Sequence, residues 1–117
     1  MDVTKDELVD RLDDPALVLL DVRTPGEFSG ETGHPSDPRQ GHIPGAKNVP
    51  VTDLFAMAPG ELEELLGPAD DVEVVAYCHT GNRSSFAVDL LRAAGYDARN
   101  YVGSWQEWSR DPELPAE

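Results

Sequence analysis

The sequence predicts an α/β fold in which the strands of a mainly parallel sheet alternate with helices. Two apolar runs, Leu17–Val22 and Val72–Tyr77, are nearly continuous, as is typical of strands buried on both faces of such a sheet. Segments with the helical spacing of apolar residues flank each run. The chain has 117 residues and is 39% hydrophobic, which is typical of one compact domain, so we expect a single domain over residues 1–117.

The first elements are marked by caps and breakers. Thr4 and Glu7 have the spacing of a capping box, and the apolar residues after them predict a helix that ends near Asp13, before the break at Asp14-Pro15. The buried strand Leu17–Val22 follows, and Pro25 opens a short helical turn through Phe28.

Residues 29–41 form a long segment of glycine, proline, serine and charged residues. A loop of this length in a small domain is either functional, as a lid or a partner contact, or a mobile surface excursion, and the sequence favours neither. The turn Gly41–Ala46 then leads into a short strand around Asn48 and Val49.

The second half repeats the alternation. A helix is predicted from Pro59 to Gly67, and its core stripe is Leu62, Leu65 and Leu66. After the strand Val72–Tyr77, a helix is predicted from Ser84 to Ala94, with Phe86, Val88, Leu90 and Leu91 inward and Gly95 at its end.

The carboxyl-terminal part is predicted to hold a short strand over 98–102 and a last helix that starts at Gly103. Trp105 and Trp108 share one face of that helix, which favours a place in the core or in a pocket wall. Residues 111–117 are expected to fray.

The net charge of −14 comes from 23 acidic and 9 basic residues, and Lys5 and Lys47 are the only lysines. Such a surface repels nucleic acid and anionic lipid, so neither is an expected partner. The scarcity of lysine favours a salt-adapted surface slightly over an ordinary acidic one. No apolar run approaches a membrane span, and the amino terminus lacks a secretory leader pattern, so we expect a soluble, cytoplasmic protein.

Cys78 is the only cysteine, so it forms no internal disulfide and no cysteine-rich zinc site. His34, His42 and His79 lack the spacing of metal ligands, so no metal is expected. Cys78 follows a predicted strand and precedes a predicted helix. Backbone N–H groups and the helix dipole at such a place stabilise a thiolate, which favours a nucleophile over a packed thiol.

The residues after Cys78 predict an anion-binding loop. His79, Thr80, Gly81, Asn82, Arg83 and Ser84 make up this loop. Gly81 accepts left-handed dihedral angles, so that successive N–H groups point at one spot and form a nest around the sulfur. Arg83 adds a fixed positive charge, and Ser84 caps the following helix or donates a hydrogen bond to the sulfur.

With these residues the chain resembles a single-domain rhodanese, a sulfurtransferase of the rhodanese homology family. Four segments carry the resemblance in the family's order along nearly the whole chain: Leu20–Phe28, Gly41–Asn48, the Cys78 loop and Val102–Trp108. The resemblance implies a three-layer fold, with a central, mainly parallel five-stranded sheet and helices on both faces. It also implies that Cys78 takes a sulfane sulfur from a donor such as thiosulfate and holds it as a persulfide.

In the family's chemistry, the backbone amides from His79 to Arg83 cradle the persulfide. Cyanide or a thiol then removes the outer sulfur in a double displacement, without a metal or an organic cofactor. In the resemblance Asp21 supports the loop, and the alternative is that, at the end of a buried strand, it only satisfies backbone amides in the next turn. Arg23 is expected either to reach the site or to pair with Glu27 at the surface.

Two further residues belong to the expected surroundings of the site. His42 is expected to order the Gly41–Ala46 turn, and Trp105 is expected in the core or the pocket wall. His79 is a departure, because thiosulfate-preferring relatives often have arginine or lysine after the cysteine. A histidine there attracts dianionic thiosulfate less well.

Two functions are alternatives to a sulfurtransferase with small donors and acceptors. A sulfur-relay or regulatory module would pass the sulfur to a partner protein, and small donors would be incidental. A cysteine phosphatase is disfavoured because such enzymes have five residues between cysteine and arginine, whereas four separate Cys78 from Arg83. The five-residue spacing falls on Ser84, which has no guanidinium to hold phosphate.

Overall fold

The computed structural model describes residues 2–117. Its elements, in chain order, are α1 Lys5–Arg11, β1 Leu17–Asp21, α2 Pro25–Ser29, β2 Lys47–Asn48, α3 Val51–Phe55, α4 Pro59–Leu66, β3 Glu73–Tyr77, α5 Asn82–Ala93, β4 Asp97–Asn100 and α6 Ser104–Trp108. No helix within this range combines the length and the apolar character that a bilayer crossing requires.

The described strands form one sheet in the order β2-β1-β3-β4, and every pairing is parallel. The prediction of five strands is wrong, since residues 2–117 contribute four. The extended amino-terminal residues make only an isolated bridge, between Asp2 and Asn100. They do not continue into a paired strand, because Thr4 caps α1: its hydroxyl accepts a hydrogen bond from the Glu7 amide at 3.2 Å.

The sheet separates two apolar layers, as the three-layer prediction requires. Because side chains alternate along a strand, Val74 and Ala76 of β3 face one layer, whereas Val75 and Tyr77 face the other. The first layer also includes buried leucines of α3, α4 and α5, and the second includes Leu8 of α1 and the tryptophans of α6. Cys78 belongs to the first layer, directly after β3.

The helices differ from the prediction in two respects: one inward residue is exposed, and one helix was missed. Phe86 was expected inward but is 63% exposed, because α5 buries Ser84, Ala87, Val88 and Leu91, and Phe86 lies off that stripe. Helix α3 was not predicted. It has only five residues and no side-chain cap at Pro50, so it lacks the usual sequence signals.

The segment 29–41 and the carboxyl-terminal residues lie against each other. The Arg39 guanidinium donates hydrogen bonds to four backbone carbonyls, those of Trp108, Ser109, Asp111 and Leu114. Farther along, the backbones of His42 and Glu117 exchange hydrogen bonds of 3.0 and 2.9 Å. The fraying expected of residues 111–117 concerns motion and stays a prediction.

Candidate active site

The end of β3 fixes the position of Cys78, which is buried with 1% of its surface exposed. Its amide donates to the Ser104 hydroxyl at 3.1 Å, and that hydroxyl donates to the Tyr101 carbonyl at 2.8 Å. Its carbonyl accepts the Trp105 amide at 3.0 Å. The start of α6 therefore holds the cysteine backbone from the side opposite α5.

The sulfur accepts two hydrogen bonds from its own loop. The Gly81 amide donates to Sγ at 3.0 Å and the Ser84 hydroxyl donates at 3.4 Å. Burial raises the pKa of the Cys78 thiol. The Ser84 hydroxyl and the amides of Ser84, Gly81 and Thr80 outweigh that effect, so that the pKa lies below its ordinary value. The geometry stabilises a thiolate.

Gly81 makes the turn possible. Its φ of 95° is in the left-handed region, as predicted, and a Cβ there would lie 2.8 Å from the Val102 carbonyl oxygen. Asn100 of β4 holds this turn, since its side-chain amide donates to the Gly81 carbonyl at 3.1 Å. Sequence reasoning missed Asn100, whose contact joins residues far apart in the chain.

Arg83 was expected to add a positive charge to the loop, but it forms a salt bridge with Glu27. Its guanidinium donates to both carboxylate oxygens of Glu27 at 2.8 and 3.0 Å. The bond from Arg83 is the largest effect on Glu27, and it lowers the pKa of that carboxyl to about 2. The charge that Arg83 offers an anion is therefore partly balanced by Glu27.

Arg23 does not pair with Glu27 at the surface, which was one of the two alternatives, but with Asp21 in the interior. It is 1% exposed, it donates to both carboxylate oxygens of Asp21, and it donates to the Gly41 carbonyl at 2.7 Å. Its guanidinium lies 5.2 Å from the centre of the Trp105 ring. Asp21 also accepts the Arg23 backbone amide at 3.0 Å, which agrees with the expected bond to the next turn.

The other predicted residues surround this centre. Thr80 and Asn82 are exposed, and Trp105 is buried, with its indole N–H donating to the Arg39 carbonyl at 3.1 Å. The His42 ring stacks on Phe28 at 3.7 Å between ring centres, and its Nδ1 lies 2.8 Å from the Phe28 carbonyl oxygen. His42 thus connects the Gly41–Ala46 turn to α2.

His79 connects the loop to the segment 29–41. Its Nε2 lies 2.8 Å from Oδ2 of Asp37, and its ring stacks on His34 at 5.1 Å between centres. An open cleft of about 500 Å³ borders the active-site loop at His79 and Arg83. Thr24, Glu27, Thr32 and His34 line the same cleft.

Comparison with known proteins identifies the family. The rhodanese-like domain family matches residues 4–111, so the chain belongs to that family. The chain is 37% identical to a thiosulfate sulfurtransferase of Azotobacter vinelandii over 97% of its own length and 45% of that protein. It is 39% identical to a putative thiosulfate sulfurtransferase of Haloferax volcanii, over 93% of the chain and 43% of the relative.

A third relative has a different name. The chain is 42% identical to the sulfur carrier protein TtuD of Thermus thermophilus, over 83% of the chain and 40% of the relative. The chain thus spans less than half the length of these curated relatives.

Two solved structures support the fold. A crystal structure of a probable thiosulfate sulfurtransferase matches with a TM-score of 0.80 and 46% identity, over 99% of this chain and 47% of that one. The human single-domain sulfurtransferase TSTD1 matches with a TM-score of 0.71 and 33% identity, over 92% of this chain and 93% of its own. The fold is therefore the rhodanese-like α/β fold, although its described sheet has four strands.

Proposed function

We propose that this protein is a sulfurtransferase that carries sulfane sulfur as a persulfide on Cys78. The observation that carries the proposal is the Cys78 sulfur itself, which accepts hydrogen bonds from the Gly81 amide and the Ser84 hydroxyl and has a lowered pKa. Such a thiolate is a ready nucleophile at the carboxyl end of a central strand.

The proposed reaction has two steps. The Cys78 thiolate attacks the outer sulfur of thiosulfate, a bond forms between the two sulfurs, and sulfite leaves with the electron pair of the broken S–S bond. Cyanide or a thiolate then attacks the outer sulfur of the persulfide, and Cys78 leaves as a thiolate. In our proposal the amides of the loop from His79 to Arg83 surround the outer sulfur. The names of the relatives support thiosulfate as a donor.

The first test is the intact mass of the protein after incubation with thiosulfate, with wild type beside Cys78→Ser. We expect the wild type to gain one sulfur atom and to lose it when cyanide is added. The variant should gain none. A wild-type protein that stays unmodified while its thiol still reacts with alkylating agents would exclude thiosulfate as the donor.

A relay to a partner protein is the second candidate. Two observations favour it: the balancing of Arg83 by Glu27, and histidine in place of a cation at position 79, since both reduce the attraction for dianionic thiosulfate. The name of the TtuD relative agrees with such a role. Slow turnover of thiosulfate, together with fast transfer to one protein acceptor, would favour the relay, and fast turnover would favour the enzyme.

The acidic surface is part of the proposal. We propose salt adaptation, which the net charge of −14 and the Haloferax volcanii relative support. Activity should then hold or rise in molar salt, and a sharp fall would contradict it. We also propose that the protein acts in the cytoplasm, where a reducing environment keeps a lone catalytic thiol free.

A further inference from the structure

Asp37 is the buried carboxylate of the otherwise exposed segment 34–38. Its side chain has no exposed surface, and each oxygen has a partner on another part of the chain. Oδ2 lies 2.8 Å from Nε2 of His79, and Oδ1 accepts a hydrogen bond from Arg110 at 3.0 Å. A carboxylate placed in this way holds the His79 ring in one position beside the active-site loop.

The bond to Asp37 determines where the hydrogen of a neutral His79 ring lies. An ionised carboxylate only accepts, so Nε2 must carry the hydrogen, and Nδ1 then has a free lone pair. Stacking on His34, with 14° between the ring planes, further fixes the orientation of the ring. The pair Asp37–His79 therefore presents an unprotonated nitrogen.

That nitrogen is accessible. Nδ1 of His79 makes no hydrogen bond to any residue in 2–117, and the sole unpartnered side-chain atom that is fully buried in this range is Oδ1 of Asn100. Nδ1 therefore has exposed surface, and the ring lines the open cleft that borders the loop. An acceptor bound in this cleft would lie beside His79, the residue that directly follows Cys78.

We propose that His79 is a general base for thiol acceptors and that Asp37 is its positioning residue. The inference rests on the proposed function, because it concerns the second half of that reaction. The acceptor sulfur forms a bond to the outer sulfur of the persulfide as its proton moves to Nδ1 of His79. The bond between the outer sulfur and Sγ of Cys78 breaks, and its electron pair remains on Sγ as the thiolate.

The charge of the resulting imidazolium is balanced by Asp37, in the way that a carboxylate orients and stabilises a catalytic histidine. The proton then leaves to solvent and the site is restored. Cyanide reacts as an anion and has no proton to give up, so its reaction does not need His79. The proposal therefore predicts a difference between acceptors, which a purely structural role for Asp37 would not produce.

The test uses Asp37→Asn and His79→Gln, each first loaded with sulfur and checked by intact mass. In Asp37→Asn the side-chain amide would donate to Nε2 and move the ring hydrogen to Nδ1, while its oxygen still accepts from Arg110. Transfer from the loaded protein is then timed in a single turnover to three acceptors: an alkyl thiol, an aromatic thiol that is already ionised at the assay pH, and cyanide. Asp111→Asn is the matched control, since that aspartate pairs with Lys5 instead.

We expect both variants to transfer sulfur to the alkyl thiol about tenfold or more slowly than wild type, which is within the range of general base catalysis. In both variants, transfer to cyanide and to the ionised thiol should fall much less than transfer to the alkyl thiol, and Asp111→Asn should keep the wild-type rate for every acceptor. Equal losses for all three acceptors, or no loss for the alkyl thiol, would overturn the role of His79. A wild-type protein that gains no sulfur from thiosulfate or from a glutathione-type persulfide would instead reject the persulfide function, and this inference with it.

Discussion

The loop 78–84, which forms the candidate active site, contacts the segment 29–41 through His79 and Asp37, but the bonds to its sulfur differ in kind from those that hold the segment. In the loop, Sγ of Cys78 accepts from residues three and six positions further along the chain. In the segment, Asp37 and Arg39 bond to residues 42 to 75 positions away. The bonds to the sulfur are local, whereas the side chains of the segment depend on bonds to residues far along the chain, most of them in its carboxyl-terminal part.

This difference explains how a segment of mainly exposed residues holds a defined position. The carbonyls that Arg39 binds belong to the end of α6 and the residues beyond it, and α6 also binds the backbone of Cys78. One short helix thus supports both Cys78 and the segment that carries Asp37. The contrast can be tested by breaking each kind of bond in turn.

The largest effect is expected from Arg39→Met. The substitution removes hydrogen bonds to four backbone carbonyls, those of Trp108, Ser109, Asp111 and Leu114. Each hydrogen bond from a charged group contributes about 1.5–3 kcal/mol, and the carbonyls that water reaches after the substitution recover most of that loss. We expect the free energy of unfolding to fall by about 2–4 kcal/mol, as measured by urea denaturation.

Arg92→Met is the matched control, because Arg92 also donates to a backbone carbonyl, that of Ala98 at 2.8 Å, but makes only this side-chain hydrogen bond within residues 2–117. It should cost about 1 kcal/mol or less. If the two variants were equally stable, the carbonyl contacts of Arg39 would not hold the segment, and the contrast between the two regions would fail.

The same contrast separates what the sequence predicts from what it does not. The turn at Gly81 and the bond from Ser84 to Cys78 are predictable, because one loop holds every atom involved. The contacts of Asp37 with His79 and of Ser104 with Cys78 are not predictable, because only the folded chain brings these distant residues together. Ser104 even has a φ of 56°, a left-handed value that nothing in its sequence neighbourhood indicates.

Charge pairing was the least predictable property of the site. Arg23, Glu27 and Arg83 lie near motifs that were recognised, yet Glu27 pairs with Arg83, and Arg23 pairs with Asp21. The sequence left Arg23 open between reaching the site and pairing with Glu27 at the surface. Burial of Arg23 decides against the surface pair, because a guanidinium removed from water needs a carboxylate that is also buried.

A local bond is broken by Ser84→Ala, for which an intermediate effect is expected. Without the Ser84 hydroxyl, the pKa of Cys78 should rise, because one of the groups that stabilise the thiolate is lost. The thiolate is the reactive form, so the pH profile of alkylation should move to higher pH. At neutral pH the alkylation rate should fall by about threefold or more, whereas both proteins should react alike well above both pKa values.

The adjacent Ser85 provides the control, since it is exposed, and among the described residues Ser84 alone donates to the sulfur through a hydroxyl. Ser85→Ala should leave the alkylation profile unchanged. An unchanged profile in Ser84→Ala as well would mean that the amides of the loop alone determine the pKa of Cys78.

The smallest effect is expected from Glu27→Gln, which weakens the bond between α2 and the loop without removing the cap that residue 27 forms with Thr24. The pKa of Glu27 is lowered from 4.5 to about 2 in the folded protein, so its ionised form stabilises the fold above pH 4.5. That contribution is lost as the pH falls through about 2, where Glu27 becomes protonated in the folded protein as well. Arg83 is 36% exposed, and screening reduces the expected loss of stability at neutral pH to about 1 kcal/mol.

Urea denaturation of wild type and Glu27→Gln over a range of pH tests this directly. The difference in stability should be full near neutral pH and should shrink below pH 4.5 as the wild type loses its advantage. Glu31→Gln, an exposed glutamate close by, should match wild type at every pH. A constant difference between wild type and Glu27→Gln would mean that residue 27 stabilises the protein by its cap and packing, and that the Arg83 charge remains available to an anion in the cleft.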